Sequence, residues 1–506
     1  MTIIPERYSH RVAGTLGCHD RVVLLGTLPG ACHSEGMASY LYSHDFLLKD
    51  YPLFAKPYTD KIRDHVKQVA DESGTEITFV KSPKNFRKET YVQNVLQERG
   101  DAPGIVCILS AMETCRIFKY CYSRETGRNW LQSRDSRCVH FYIYLMHEEF
   151  GLCYLRIPTW LPTTLQFYCN GHSWLANQLR AQNIGFKMLD NAFMQIDDWH
   201  KAQQLADAFP VERLHRVLDE LVEKYCPSMR EFSDSYHWSI MQSEYATDIV
   251  FKSQADLEPL YKNLVYTALH TVKPENVATF LAKKLNGSFE REAGNDFQTR
   301  KEGTRIKHRF GPASIKMYDK HGIVLRIETT INDVSFINHY RTVEHRDGTK
   351  EQKIAPMKKG MYSLPDLQEF CQAANRRYIE FLWQLDDPTP GLKKVEKISE
   401  PVEHNERSYR GFNLFSGDDL DMLITIVRGE FAMTGLRNAW LRKVIPHLTG
   451  AQVSRLLKRL HLHGLIKKAA CTYKYHLTTL GKQVCASALK LRELVIIPSL
   501  ATPLPA

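Results

Sequence analysis

Thr449-Gly450-Ala451-Gln452-Val453-Ser454-Arg455-Leu456-Leu457-Lys458-Arg459-Leu460 is the stretch whose reading decides the rest of the chain. Thr449 is placed to cap a helix, because its hydroxyl can accept one of the orphan N–H groups of the first turn. Val453, Leu456, Leu457 and Leu460 then fall at offsets of three, four and seven, so they share a face that packs inward. Gln452, Arg455 and Arg459, with Lys458 beside them, read as the opposite face and project to solvent. Upstream, Asp418 to Arg428 reads as a first helix, and Thr434 as the cap of a second that Pro446 stops. Downstream, Gly464 stands where a C-terminal cap belongs. Leu465-Ile466-Lys467-Lys468 and Lys474-Tyr475-His476-Leu477 then make two short strands, and Thr478 opens a closing helix through Leu491. Helix, helix, helix, hairpin, helix is the order of a winged helix, here expected over residues 411–500.

Charge points the same way. The 506 residues carry a formal charge of +10, from 67 Lys and Arg against 57 Asp and Glu. From Thr434 to Lys482 stand Arg437, Arg442, Lys443, Arg455, Lys458, Arg459, Lys467, Lys468, Lys474 and Lys482, with no acid among them. One short segment therefore accounts for the whole net charge, the pattern expected where a polyanion is neutralised. Arg455, Lys458 and Arg459, with Gln452, suit a groove, Lys467, Lys468 and Lys474 suit backbone phosphate, and Arg437, Arg442 and Lys443 extend the same surface. The expected partner is nucleic acid, DNA or structured RNA. The competing reading is a dimerising or protein-binding winged helix whose cations are merely solvated; a homodimer suits either.

The fold class expected is α+β and multidomain, since a chain of this length outgrows a single core. A mixed N-terminal body is read over residues 1–209, with strands at Arg21 to Leu28 and Ile105 to Leu109 and a helix at Thr59 to Asp71. Val139 to Met146 and Leu152 to Ile157 flank a turn and read as a hairpin. Residues 210–385 are read as helical from Pro210 to about Leu285, then as an antiparallel meander of Thr304 to Phe310, Ser314 to Tyr318 and Val324 to Thr330, then as a helix from Leu364. Residues 386–410, rich in Pro, Lys and Glu, have linker composition. No apolar run reaches membrane-spanning length, so no membrane partner and a cytoplasmic location are expected. The 12 cysteines show no Cys-x-x-Cys and are read as buried thiols.

On Gly36-Met37-Ala38-Ser39-Tyr40-Leu41-Tyr42, Gly151 to Trp160, Tyr168 to Trp174, Tyr236 to Asp248 and Ile315 to Asn332, the chain resembles a group of large bacterial proteins. These carry a C-terminal winged helix similar to that of MarR-type regulators. The resemblance brings no assigned activity and implies an association with mobile elements. More locally, Ile315-Lys316-Met317-Tyr318-Asp319-Lys320 followed by Leu325-Arg326-Ile327-Glu328 resembles the Tyr-x-Lys and Arg-x-Glu strand pair of some rolling-circle replication initiators, but with no His-hydrophobe-His metal motif in that stretch.

A nuclease or strand transferase needs carboxylates for Mg2+ or Mn2+ and a nucleophile. Glu244 and Asp248, four apart in an expected helix, with Glu328 and Tyr318 on neighbouring strands, would supply these as catalytic residues. The structural alternative pairs Glu328 with Arg305 or Lys316 and leaves Glu244 and Asp248 on a wet helix face. Cys115, Cys121, Cys138 and His140 match zinc in number but not in spacing. The aromatic runs Phe141 to Tyr144 and Trp160 to Tyr168 are either core or a surface for stacking unpaired bases, and Lys81, Lys84, Arg87 and Lys88 around Phe86 form a local basic patch. No phosphate loop or nucleophile elbow is present. A third reading is a structural protein held in a ribonucleoprotein by a large RNA.

Overall fold

Long stretches of β-branched and aromatic residues in the first third of the chain form strands rather than helices. In the computed structural model, which describes residues 4–81, 86–283, 293–300, 303–345, 347–386, 397–414, 416–426, 435–469 and 472–497, the protein is α+β. The chain forms two units: residues 16–245 with 331–368, and residues 1–15 with 246–330 and 369–506.

The first unit contains β1 (Val12–Thr27) from Leu16 onward, β2 (Ile77–Val80), β3 (Gly104–Tyr122), β4 (Asn129–His147), β5 (Gly151–Pro158) and β6 (Leu165–Cys169) in the order β1-β6-β5-β4-β3-β2. Neighbours are antiparallel except β2, which runs parallel to β3 at the edge. The hairpin expected around residues 147–151 is the β4–β5 pair, with His147 opposite Gly151. A small hairpin, β7 (Phe186–Leu189) with β8 (Ala192–Ile196), follows. The helix Val211–Tyr225 buries Leu214, Val217, Leu218 and Leu221, as its spacing requires.

The helical pattern expected to continue to Leu285 is broken by β9 (His237–Phe251), so Glu244 and Asp248 lie on a strand. Every residue from Tyr245 to Phe251 is buried, so no alternation marks the segment. An apolar run buried on both faces has no period by which to tell strand from helix. Helices return at Gln254–Thr271 and Pro274–Phe280.

In the second unit, β10 (Ala293–Arg300), β11 (Gly303–Phe310), β12 (Ala313–Lys320) and β13 (Val324–Ile331) lie side by side, with residues 246–251 of β9 beyond β13. The expected three-stranded meander is β11 to β13, with β11 antiparallel to β12 in the register His308 to Ile315. β13 is buried along its whole length. The helix Leu364–Asp386 covers one face through Asn375, which accepts from the Thr329 hydroxyl at 2.6 Å and donates to Thr247 Oγ1 at 3.0 Å. A hairpin of β14 (Asn338–Glu344) and β15 (Lys350–Pro356) belongs to the first unit. Among the described residues no helix is long and apolar enough to cross a membrane.

The aromatic run of β4 is core, with Phe141, Tyr142 and Tyr144 all below 8% exposed. Under it, Glu113 accepts from Lys88 Nζ at 2.7 Å, Tyr142 OH at 2.6 Å and Arg156 Nη2 at 3.1 Å. Burial pushes the Glu113 carboxyl upward, but the hydrogen bonds from Lys88 and Tyr142 and the charges of Lys88 and Arg156 outweigh it and hold the group at about 2. Lys88 is thus committed to an internal ion cluster; Lys84 and Asn85 lie outside the described residues. A carboxyl near 4.3 when unfolded and near 2 when folded stabilises the fold above about pH 4.5 and loses that contribution as pH falls toward 2. Acid unfolding followed by tryptophan fluorescence is expected to show Glu113→Gln less stable than the parent at pH 7, the gap narrowing as pH drops below about 4.5. A gap independent of pH would contradict this.

The expected linker divides. Residues 387–396 lie outside the described residues, but 397–410 hold a hairpin of β16 (Val402–His404) and β17 (Arg407–Tyr409). Ile398, at 1% exposed, joins Phe412 and Leu414 in the core of the C-terminal lobe, so the part of the segment after 396 is structure rather than tether. That lobe consists of the helices Gly417–Ile426, Asn438–Val444 and Gly450–Leu462, a hairpin of β18 (Ile466–Lys468) and β19 (Tyr475–Leu477), and the helix Thr479–Leu491. Gly481 lies so close to Leu465 that a Cβ there would meet the carbonyl oxygen at 2.0 Å. Gly481→Ala is expected to cost about 1–3 kcal/mol through the forced shift; a thermal midpoint equal to that of the parent would refute the close approach.

Candidate nucleic-acid interface

The third helix of the lobe starts as its sequence dictates. Thr449 Oγ1 accepts from Gln452 N at 3.4 Å, and Gln452 Oε1 accepts from Thr449 N at 2.7 Å, a reciprocal capping box. Gln452 is exposed, but its amide oxygen is engaged in the cap. Asn438, on the preceding helix, donates to Gly450 O and Ser454 Oγ, both at 2.8 Å, and so fixes the second helix against the third. The second helix begins after Arg437, three residues beyond Thr434, which lies outside the described residues. At the far end, Gly464 takes φ +73°, the left-handed conformation that ends the helix at little cost.

Val453, Leu457 and Leu460 are buried and Leu456 is partly so. At 100° per residue, Arg455 and Lys458 stand about 150° from the centre of that stripe, but Arg459 stands only about 110° away, beside Leu456. The difference decides their fates. Arg455 and Lys458 are exposed, whereas Arg459 is 8% exposed. Its guanidinium donates to both oxygens of Asp419, at 2.8 and 2.9 Å, and to the carbonyls of Arg410 and Gly411, and stacks 3.8 Å over Phe412. Arg459, expected on the outer face, is an internal tie. Burial works to raise the Asp419 carboxyl, but hydrogen bonds from Arg459 and the Asn413 N–H outweigh it and hold the group low.

Around the helix the remaining cations stay outside. Arg437, Arg442 and Lys443 are exposed on and before the second helix, Lys467 and Lys468 are exposed on β18, and Lys474 is half-buried beside β19. Tyr473, at 87% exposed, sits at the tip of the hairpin with Lys468 Nζ 5.6 Å from its ring. Charge counting could not find it; its place in the turn between two strands is the only signal. The closing helix Thr479–Leu491 buries Ala486 and Leu489 against Leu385, at the end of the long helix Leu364–Asp386.

Of the residues read as catalytic, Tyr318, Glu328 and Asp248 belong to the second unit. Tyr318 donates to Glu328 Oε2 at 2.8 Å and Lys316 Nζ to Glu328 Oε1 at 2.5 Å, so the Lys316 pairing is found. Arg305 instead lies 3.5 Å from Asp296. Asp248 is matched oxygen for nitrogen to Arg326, at 2.6 and 2.7 Å. Glu244 belongs to the first unit, 4.0 Å from Arg21. A divalent ion on Glu328 or Asp248 has to compete with these cations.

The four zinc candidates do not converge. Cys138 Sγ lies 3.9 Å from His140 Nδ1, and a hydrogen bond from Cys115 lowers the Cys138 thiol. Cys121, six residues farther along β3 and so about 20 Å from Cys115 by strand rise, bonds Gln132 instead.

No family model and no curated protein matches the chain. Among solved structures, a rolling-circle replication initiator protein from Geobacillus stearothermophilus is similar at 11% identity and a TM-score of 0.18, over 63% of this chain and 75% of that one. So low a score carries no argument.

Proposed function

We propose that the protein binds nucleic acid through its C-terminal lobe, used as a winged helix of the kind found in MarR-type regulators. The observation that carries this reading is the exposure of Arg455 and Lys458 on the outer face of a doubly capped helix, flanked by Lys467 and Lys468 on the hairpin and by Arg437, Arg442 and Lys443 on the other side. Arg455 and Lys458 face the groove, and the flanking cations meet phosphate. Gln452 reaches a base only by giving up its cap, and Arg459 contributes through Asp419 rather than by contact. The test is retardation of labelled duplex DNA, duplex RNA and single strands by the full chain across a salt series. Failure to retard any of them in dilute buffer removes the reading. Sequencing the nucleic acid that copurifies identifies the partner, and a single abundant RNA would favour a ribonucleoprotein role over a mobile-element DNA.

A second reading rests on the contact of Tyr318 with Glu328. Here the chain is a Mg2+- or Mn2+-dependent nuclease or strand transferase with Tyr318 as nucleophile. Cleavage of labelled strands is then lost in Tyr318→Phe and in Glu328→Gln; cleavage that persists in both ends the reading.

A further inference from the structure

Outside the C-terminal segment the positive and negative side chains balance in number, but their distribution along β3 and β4 is uneven. β2 pairs with β3 only up to Ala111, and β5 with β4 only from His140. Beyond those points β3 and β4 pair with each other from Met112 opposite Val139, whose carbonyl also accepts from Thr159 N at 3.0 Å, to Tyr122 opposite Asn129, closed by a turn in which Ser123 N donates to Arg128 O at 2.9 Å. Between residues 114 and 137 this ribbon carries Arg116, Lys119, Arg124, Arg128, Arg134 and Arg137 against only Glu125 and Asp135, and all six cations are exposed.

Its two faces differ. Phe118 and Leu131, on one face, are buried at 4% each, and the Phe118 ring lies 5.9 Å from Tyr51 of the helix Tyr51–Ser73. Helices therefore back this face. The other carries Lys119, Trp130, Gln132 and Arg134, all exposed. Arg134 donates from Nη2 to Gln132 Oε1 at 3.0 Å, so the two side chains lie side by side along β4, with Lys119 opposite Gln132 on β3. Arg124 and Arg128 stand at the tip.

We propose that this backed ribbon enters the major groove of duplex DNA. The B-form groove, about 12 Å wide, admits a two-stranded ribbon, whereas the major groove of A-form RNA is too deep and narrow for side chains to read. Arg, Lys and Gln are the side chains that bond base edges in that groove, Trp130 supplies apolar contact, and the two arginines at the tip meet phosphate. The contact stands on its own observation, independent of the C-terminal lobe, and it selects DNA over RNA.

The test uses the full chain with a DNA duplex and an RNA duplex of the same sequence, reading affinity by fluorescence anisotropy against salt. Arg124→Ser with Arg128→Ser is expected to flatten the DNA salt slope by about two units. Lys119→Gln with Arg134→Gln is expected to weaken DNA binding about tenfold or more while leaving RNA affinity unchanged. All four side chains are exposed, so unfolding midpoints should match the parent; a variant that shifts them is replaced by Lys119→Ser with Arg134→Ser. DNA affinity and slope equal to the parent in both ribbon variants overturn the proposal. If Arg455→Ala with Lys458→Ala abolishes binding in the same experiment, the reading of the lobe survives that failure. A parent chain that binds neither duplex overturns both.

Discussion

Arg326→Ala is expected to destabilise the second unit by about 3–5 kcal/mol, the cost of leaving a buried carboxylate without its partner. Arg326 is fully buried and Asp248 is 2% exposed, and their two hydrogen bonds, at 2.6 and 2.7 Å, join neighbouring strands in the interior of the sheet. Removing the guanidinium strands the Asp248 charge where water cannot reach it, and the group must either take up a proton or draw the strands apart. The double variant Asp248→Leu with Arg326→Met should recover most of the loss, because replacing both partners with apolar groups removes the desolvation penalty as well as the attraction. Chemical denaturation followed by circular dichroism measures this, with the midpoint of each transition read separately because two units need not unfold together. A single variant within about 1 kcal/mol of the parent would mean that the pair is solvated in solution.

Arg459→Ala and Arg455→Ala with Lys458→Ala should part company. The first is expected to cost the C-terminal lobe about 3–5 kcal/mol, since the buried Asp419 loses its two-pronged partner and keeps only Arg410 at 3.4 Å and the Asn413 N–H at 3.0 Å. Because the Asp419 carboxyl is held below its ordinary value, its stabilising contribution is complete above that ordinary value and disappears as acid brings the pH down through the folded one, so the penalty of Arg459→Ala should shrink in acid. The second variant should leave unfolding unchanged and flatten the salt dependence of nucleic-acid binding by about two units. Two neighbouring arginines on one helix would thus show opposite phenotypes. Equal losses of stability in both variants would refute the distinction between tie and contact.

How much of this was legible in the sequence varied by element. The third helix was readable to the residue at its start, because Thr449 and Gln452 satisfy each other across three positions and need nothing else. The meander was readable because Gly311 and the Lys320 to Gly322 turn punctuate it. The second half of β9, Tyr245 to Phe251, was not readable, because burial of both faces erased the period that separates a strand from a helix. The basic ribbon on β3 and β4 escaped a charge count taken over the whole chain, since acids elsewhere cancel it. The window that isolated ten cations near the C-terminus began at Thr434 and so left out Asp418, Asp419, Asp421 and Glu430, and Asp419 is the acid that claims Arg459.

The amino-acid sequence alone settled the α+β class, the β4–β5 hairpin, the meander and the helices and hairpin of the C-terminal lobe, and the concentration of positive charge toward the C-terminus, because caps, periods and composition act over a few residues. Folding decided which charges remain outside. Arg459 meets an aspartate 40 residues earlier and Arg326 one 78 residues earlier. A desolvated ion pair depends on a partner that only the returning chain can deliver, and no local pattern encodes that return.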